Sequence, residues 1–373
     1  MIGKTTGALR PVCRKGSLLL RKRSVCVLFG GVSPEHEVSL RSAESVLNNL
    51  DPAKYNVFPV GITREGQWIL FGGRDYSMLS ADTWLTCPQN RPAAISPVRG
   101  QGLLSFENDC VVREHIDVVF PLLHGENGED GSVQGLLQLA GLSFVGSGVG
   151  ASSACMDKAV TKLLCAQAGI LQTDWQLVTQ KSWSRGAQGC MEKAERAFSY
   201  PMFVKPAGTG SSIGISKAKN REELEASILD ALRFDDKVLI EAFVDGREIE
   251  VAMLGNDSPC ASVCGEIEAG AEFYDYEAKY LADSASFYVP ARLDGETEER
   301  VRETAVRVYE TMGCRGLARV DFFVRKKDGA VVFNEINTIP GFTSISMYPK
   351  LFAASGIAYS DLLDKLIALA QEE

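Results

Sequence analysis

The stretch VCVLFGGVSPEHEVSLRSAESVLNNL, residues 25–50, decides the fold of the first third of the chain. Residues 25–29 form an apolar, β-rich run that ends in Gly30 and Gly31. From Ser39 to Leu50 the apolar residues recur at helical spacing. The stretch therefore predicts a strand, a glycine turn and a helix.

Further apolar runs repeat this alternation. Three of them are typical of strands: Asn56–Ile62, Ile116–Leu123 and Leu142–Val145. A fourth, Val133–Ala140, is typical of a helix. Strands that alternate with helices indicate a parallel, doubly wound sheet, so residues 24–147 are predicted to form one α/β domain. A dinucleotide site is weakly supported, because VSPE follows the two glycines in place of the rest of G-x-G-x-x-G.

The pattern changes in the middle of the chain. A helix is predicted from Asp157 to Ala168, and a connecting region follows up to Tyr200. Residues 201–206 and 212–216 flank a glycine and serine loop, which predicts an antiparallel hairpin.

The last part of the chain continues this α+β pattern. Residues 238–243 and 248–254 flank an Asp-Gly pair, which predicts a second hairpin. Strands are predicted at 318–324 and 331–336, and a helix at 359–370.

Composition and charge are those of a globular, acidic protein. Of the 373 residues, 45% are hydrophobic and 23% charged, and the formal net charge is -9. The first 23 residues contain seven of the 39 basic residues and no acidic one. We expect residues 1–23 to be a disordered basic leader: a native tail, a misassigned start or a vector-derived extension. The acidic remainder disfavours nucleic acid as a partner.

The cysteines and the apolar runs indicate in which cellular compartment the protein is expected. Ten cysteines are scattered along the chain without a C-x-x-C pair, which favours reduced thiols in a cytoplasmic protein. No apolar run approaches the ~20 residues that span a bilayer, so no membrane segment is expected.

A glycine-rich loop at 208–214 is the first candidate binding element. Its glycines let backbone N–H groups approach a phosphate, and Lys205 on the strand before it supplies a positive charge. Such a loop is also compatible with an ordinary surface hairpin.

Three oxygen-bearing side chains on two adjoining strands are the second candidate. Period two places Glu335 and Asn337 on one face, and a three-residue turn at 327–329 would place Asp321 opposite Glu335. With water and nucleotide phosphates these oxygens suit Mg²⁺; the alternative is a solvated sheet face. Arg319 points the same way as Asp321.

Two polar segments complete the candidates. The loop from His124 to Gly131 follows a strand, where α/β domains bind ligands, and Glu35 occupies the comparable place after the first strand. Singly, each is compatible with a helix cap or turn residue. The aromatic and charged run 273–280 is compatible with a lid, expected over about 268–289, or with a packed connection.

Taken together, the motifs resemble those of the D-alanine:D-alanine ligases of the ATP-grasp superfamily, over about residues 24–370. The motifs are GG at 30–31, SPEHEVS at 33–39, HG at 124–125, GEDG at 128–131, CMDK at 155–158, VKP at 204–206, GSS at 210–212, YEAKY at 276–280, RVD at 319–321, NEINT at 334–338 and PGFT at 340–343.

The resemblance implies a fold and a reaction. It implies a Rossmann-like parallel α/β substrate domain at 24–147 and a two-part ATP-grasp fold, with a central domain at 148–245 and a C-terminal domain at 246–373 that carries the metal site and the lid. The family activates one D-alanine as an acylphosphate, which the amino group of a second D-alanine attacks. The family makes a peptidoglycan precursor in the cytoplasm. The resemblance also implies a homodimer.

The resemblance also implies roles for individual residues. Those implied to bind ATP are Lys158, Lys205, Ser211, Glu241, Phe243, Val244, Glu248 and Lys279. Those implied to bind two Mg²⁺ or Mn²⁺ ions are Asp321, Glu335 and Asn337. Those implied to take part in catalysis are Glu35, Ser211, Tyr280, Arg319 and Gly341, the last two as an oxyanion hole.

Substrate contacts are implied for four residues. Glu35 would anchor the ammonium of the first D-alanine and be linked through Ser211 to Tyr280, with His124 near the same substrate. Ser346 with Met347 would hold the carboxylate of the second D-alanine. Ile345 and Met347 stand where other members have His and Leu, so the sequence predicts fine substrate specificity less firmly than it predicts the reaction. A D-alanine:D-serine ligase, which shares most of these motifs, is the alternative, and the mostly apolar second subsite favours D-alanine.

Overall fold

The computed structural model describes residues 21–108, 110–211, 213–269, 285–343 and 345–372. Within these ranges the strands are β1 (Arg23–Gly30), β2 (Tyr55–Ile62), β3 (Trp68–Leu70), β4 (Arg91–Ile95), β5 (Leu103–Glu107), β6 (Cys110–Glu114), β7 (Val118–Pro121), β8 (Ser143–Phe144), β9 (Trp175–Thr179), β10 (Met202–Pro206), β11 (Ser216–Ala218), β12 (Lys237–Ala242), β13 (Gly246–Gly255), β14 (Cys260–Ala269), β15 (Ala285–Tyr288), β16 (Gly316–Arg325) and β17 (Val331–Asn337).

The helices in the same ranges are α1 (His36–Asn49), α2 (Ser77–Ser80), α3 (Ser132–Ala140), α4 (Val149–Met156), α5 (Lys158–Gln167), α6 (Gln180–Ala197), α7 (Arg221–Ala231), α8 (Gly295–Thr311), α9 (Met347–Ala354) and α10 (Tyr359–Leu369). A short 3-10 turn covers Trp84–Thr86. None of the helices in the described ranges is long and apolar enough to span a bilayer.

The first sheet has the strand order β6-β5-β4-β3-β2-β1-β7-β8. Its β2, β1, β7 and β8 are parallel, as predicted, whereas β3 to β6 extend it as antiparallel strands that the sequence pattern did not indicate. Val25 and Val27 of β1 pack on the same side as α1, and Cys26 and Leu28 pack with α3. Because both faces are covered, β1 is a continuous apolar run. It begins at Arg23, one residue before the predicted domain start.

The other two sheets are antiparallel, with orders β11-β10-β12-β9 and β15-β14-β13-β16-β17. The predicted hairpin around the glycine loop is confirmed, since Met202 pairs with Ala218. Its second strand begins at Ser216, so most of the segment predicted as a strand belongs to the loop. The predicted connecting region before Tyr200 contains β9 and α6.

The hairpin predicted around the Asp245-Gly246 pair is wrong. Strand β12 pairs with β9 and β10, whereas β13 pairs with β14 and β16. Each strand is therefore central in its own sheet, and the three residues between them carry the chain from one sheet to the other. An Asp-Gly pair indicates a change of chain direction but does not specify the hydrogen-bonding partner.

The first strand and the last helix of the described residues share one core. Phe29 of β1, Phe342 after β17, and Leu363 of α10 belong to a single buried apolar cluster. Tyr55 donates a hydrogen bond from its hydroxyl to Asp364 at 2.7 Å beside this cluster. The loop that follows β17 is thereby packed against the carboxyl edge of the first sheet.

Candidate active site

The three predicted metal ligands lie together on β16 and β17. Asp321 pairs with Glu335, and Arg319 with Asn337. The pairing was predicted, but it arises differently: Phe322 pairs with Phe333, and the register shifts by one residue next to Asp321. Such a bulge has no signature in this sequence, and without it Asp321 would face Asn334.

Arg319 is held by carboxylates. Its Nε and Nη2 donate to the two oxygens of Asp321 at 2.8 and 2.7 Å. Glu250 on β13 lies 3.2 Å from the same Nε. Burial alone would lower the pKa of Arg319, but Asp321 and Glu250 outweigh it and raise the pKa well above its ordinary value. Arg319 is therefore a fixed positive charge beside the metal ligands.

The donor set fits Mg²⁺ when a nucleotide shares the coordination. Asn337 donates to Asp321 at 3.1 Å, so these side chains already converge. Among the described residues, no three His, Cys, Asp or Glu side chains form a group that could hold a metal. Two carboxylates and one amide oxygen therefore need phosphate oxygens and water to complete six-fold coordination.

A cleft of about 200 Å³ separates the second and third sheets. The predicted nucleotide contacts Lys205, Phe243 and Glu248 line it, together with the metal ligands Asp321 and Glu335. Phe203 and Phe243 also line it, and their rings stack with centroids 6.3 Å apart. Aromatic rings and charged groups in one cleft suit a base and its phosphates.

Glu241 lies between two buried lysines. Its oxygens are 2.8 Å from Lys162 Nζ and 2.7 Å from Lys205 Nζ. Burial alone would raise the pKa of Glu241, but the two lysines outweigh it and lower the pKa to about 2. Lys205 also donates to Asn334 at 3.2 Å. The Glu241 carboxylate thus positions Lys205, and its implied contact with adenine stays a prediction.

The glycine loop reaches the N-terminal sheet. Lys158, at the start of α5, donates to the carbonyl oxygen of Thr209 at 2.6 Å. Ser211 donates from its hydroxyl to Glu35, the residue before α1. A Cβ on Gly210 would lie 2.6 Å from a Glu35 oxygen, so only glycine allows this approach.

His124 is enclosed by protein groups. Its Nδ1 lies 3.0 Å from the carbonyl oxygen of Ile339, and its Nε2 lies 3.3 Å from Ser42 Oγ. Burial lowers the pKa of His124. A neutral ring with the proton on Nδ1 satisfies both contacts.

The candidate second subsite follows Gly341. Ser346 Oγ lies 2.7 Å from Thr343 Oγ1, and a Cβ on Gly341 would come within 2.7 Å of it. Met347 is buried in the core, whereas Ile345 is exposed. Ser346 is therefore the polar side chain of the predicted Ser346-Met347 pair.

Part of the predicted site lies outside the described residues. Lys279, Tyr280 and most of the lid predicted over about 268–289 fall in the segment 270–284, so their assignments stay predictions. The predicted residues that line the cleft are Lys205, Glu241, Phe243, Val244, Glu248, Asp321 and Glu335. A second cavity of about 40 Å³ is lined by Lys158, Ser211, Glu335 and Asn337, together with Glu129. The remaining described ones line neither cavity: Glu35, His124, Arg319, Gly341, Ser346 and Met347.

Sequence reasoning assigned no role to four residues that hold the site together. They are Ser42, Glu129, Lys162 and Glu250. Glu129 belongs to the GEDG motif quoted above, and Lys162 lies one helical turn after Lys158, so the sequence indicated weakly that both lie near the site. Ser42 and Glu250 had none.

Comparisons with known proteins show which proteins this chain is similar to. A family model described as D-ala D-ala ligase N-terminus matches residues 24–147, and one described as D-ala D-ala ligase C-terminus matches residues 164–368. The D-alanine--D-alanine ligase of Caldicellulosiruptor bescii is 50% identical, over 95% of this chain and 96% of that protein. That of Acetivibrio thermocellus is 47% identical, over 94% and 96%.

Solved structures are similar over the same extent. The VanG D-Ala:D-Ser ligase from Enterococcus faecalis has a TM-score of 0.85 and 39% identity, and the match covers 94% of this chain and all of that one. The D-alanine-D-alanine ligase from Coxiella burnetii has a TM-score of 0.81 and 35% identity, covering 94% of each chain.

Proposed function

This chain belongs to the D-alanine–D-alanine ligase family, and we propose that it joins two D-alanine molecules with ATP and releases ADP and phosphate. The reaction proceeds through a D-alanyl phosphate and supplies a precursor of peptidoglycan. The fold is that of an ATP-grasp ligase, with a parallel α/β domain packed against two antiparallel sheets.

One contact carries the proposal. The hydrogen bond from Ser211 to Glu35 joins the glycine loop of the nucleotide cleft to the carboxylate proposed to anchor the substrate ammonium. A carboxylate is the natural partner of an ammonium group. The substrate carboxylate would thereby face the phosphates, which is the arrangement that acyl phosphate formation requires.

The charges of the site suit phosphoryl transfer and the attack that follows it. We assign Lys158 and Lys205 to the ATP phosphates, and two Mg²⁺ or Mn²⁺ ions to the three ligands on β16 and β17. Metal bound there with ATP neutralises phosphate charge. Arg319 and the N–H of Gly341 are proposed to stabilise the oxyanion that forms when the second amine attacks.

The second amino acid is proposed to be D-alanine. The curated relatives above carry that substrate in their names, whereas the similar VanG structure is a D-Ala:D-Ser ligase. D-Serine use is therefore the second candidate. We expect D-serine to be used weakly but not excluded, because the hydroxyl groups of Ser346 and Thr343 are engaged with each other at 2.7 Å, and a pocket without a free partner for an added hydroxyl rejects it by only ~10²-fold.

Location and assembly are proposed from the family. The described cysteines are free thiols, which supports a cytoplasmic protein that uses ATP. A homodimer is proposed, and size-exclusion chromatography with light scattering would test it.

The reaction class is tested by ADP and phosphate release. We expect ATP cleavage to require D-alanine and Mg²⁺, and L-alanine to support none. ADP release that is independent of any amino acid would contradict a ligase and indicate a nucleotide hydrolase.

A further inference from the structure

The loop from Ile339 to Phe342 carries the proposed oxyanion donor, Gly341. It follows β17, yet its backbone is held largely by side chains from the N-terminal domain. Both the N–H and the carbonyl group of Ile339 are engaged in this way, as is the N–H of Phe342. The orientation of Gly341 is therefore set from outside its own domain.

Glu129 makes the contact at the first end of this loop. Its Oε1 accepts the N–H of Ile339 at 2.9 Å, and its Oε2 accepts the N–H of Gly125 at 3.0 Å. One carboxylate thus joins two loops, one that follows β7 and one that follows β17. Gly125 packs against Glu35, since a Cβ there would lie 2.6 Å from a Glu35 oxygen.

Ser42 and His124 complete the support. His124 binds the carbonyl oxygen of Ile339 and contacts Ser42, whose hydroxyl oxygen accepts the N–H of Phe342 at 3.2 Å. Tyr359 donates to the carbonyl oxygen of Phe342 at 2.8 Å. The two residues that flank Pro340-Gly341 are therefore fixed at every backbone polar group.

We propose that Glu129 is a positioning residue for the ligation step, which holds the N–H of Gly341 where the oxyanion forms and aligns it with Glu35. This inference rests on the proposed function. Glu129 acts through the two backbone N–H groups that it accepts, and it has no part in the chemistry itself. Only a group with two acceptor oxygens at this place can join both loops.

This role predicts a loss in turnover without a loss in nucleotide affinity. The oxyanion forms only when the second amine attacks, so an error in the Gly341 position raises the barrier of that step. Glu129 lines the smaller cavity beside Lys158 and Ser211 but not the cleft of about 200 Å³, whose lining residues the substitution leaves in place. A Glu129→Gln side chain has the same size but one acceptor oxygen, so it can hold only one of the two loops.

The test compares wild type, Glu129→Gln and the matched control Glu126→Gln, whose parent residue is exposed in the same loop. At pH 8, Glu129→Gln should lower kcat for D-alanyl-D-alanine formation by ~10²-fold, the scale of a 1 Å misplacement. Its Kd for a non-hydrolysable ATP analogue should be unchanged, and Glu126→Gln should match wild type in both.

Each outcome is decisive. A wild-type protein that forms no dipeptide would contradict the proposed function, whereas an active wild type with an equally active Glu129→Gln variant would overturn only the positioning role. If Glu129→Gln also lost nucleotide affinity, Ser42→Ala would decide, because it releases the other end of the loop. If the positioning role is correct, Ser42→Ala lowers kcat and leaves the nucleotide affinity unchanged. Any other result for Ser42→Ala would show that the positioning role is wrong.

Discussion

At the scale of single residues, the metal ligands illustrate how far the sequence leads. The period of two correctly placed Glu335 and Asn337 on one face, and Asp321 does pair with Glu335. We predicted this pairing from a three-residue turn, but the turn does not produce it. A bulge beside Asn334 shifts the register by one residue and brings Asp321 opposite Glu335. Bulges depend on how a whole sheet packs, so local sequence does not reveal them.

Removing one metal ligand should abolish turnover. Glu335→Gln keeps the size of the side chain but removes the charge that neutralises the metal, so we expect no detectable ADP release at saturating Mg²⁺. Its circular dichroism spectrum should match wild type. The control is Glu310→Gln, which changes an exposed carboxylate on α8. Activity near wild type in Glu335→Gln would show that this carboxylate is not a ligand.

Arg319→Ala should lower the rate of dipeptide formation by ~10²–10³-fold, as loss of one oxyanion-stabilising group does. The loss should fall on kcat, because the charge it stabilises exists only after attack. Steady-state kinetics with varied ATP provide the measurement. If only KM for ATP rose, Arg319 would be a phosphate ligand and the oxyanion role would be wrong.

Glu129 should make stability depend on pH. Desolvation and the neighbouring Glu35 raise its pKa to about 7, against an ordinary value of 4.5. The folded state therefore binds this proton more tightly, and the resulting stabilisation is complete below about pH 4.5 and lost as the pH rises to about 7. Because Glu129→Gln does not titrate, the free energy of unfolding of wild type minus that of the variant should fall by roughly 2–3 kcal/mol across this window.

Chemical denaturation of both proteins at pH 5, 6, 7 and 8 measures this difference, with Glu126→Gln as the control. A difference that stays constant with pH would mean that Glu129 has an ordinary pKa in the folded protein.

At the scale of elements, the glycine loop was predictable from the local pattern, whereas its partner Glu35 was expected only from the family resemblance. The strand pattern and the Gly/Ser composition identified a hairpin around it. Its contact with Glu35 joins residues 176 positions apart, and no local pattern encodes that distance. The same limit explains the wrong hairpin at Asp245-Gly246, where the turn was recognised but its strands belong to different sheets.

Gly210→Ala tests this contact. The added Cβ would lie 2.6 Å from a Glu35 oxygen and displace that carboxylate. We expect KM for the first D-alanine to rise about tenfold, equivalent to about 1.4 kcal/mol of lost binding, with little change in KM for ATP. Gly150→Ala on α4 is the matched control, because no atom lies within 4 Å of its added Cβ. Equal KM values for D-alanine in the two variants would contradict the close approach.

At the scale of the whole molecule, the first strand and the last helix of the described residues are packed into one core. Leu363 of α10 is fully buried in the cluster that also contains β1, so Leu363→Ala should destabilise the protein by about 2–5 kcal/mol. Leu139→Ala on α3 should cost little, since that side chain is 67% exposed. We expect circular dichroism and activity to be lost together on heating. Separate transitions would show that the N-terminal domain folds without the C-terminal helices.

The central claim is that this site joins two D-alanine molecules, and product identification tests it most directly. The protein is incubated with ATP, Mg²⁺ and equal concentrations of D-alanine and D-serine, and the products are identified by mass spectrometry. We expect D-alanyl-D-alanine to dominate, with one ADP formed for each dipeptide. A product dominated by D-alanyl-D-serine, or ATP cleavage without any dipeptide, would contradict the claim.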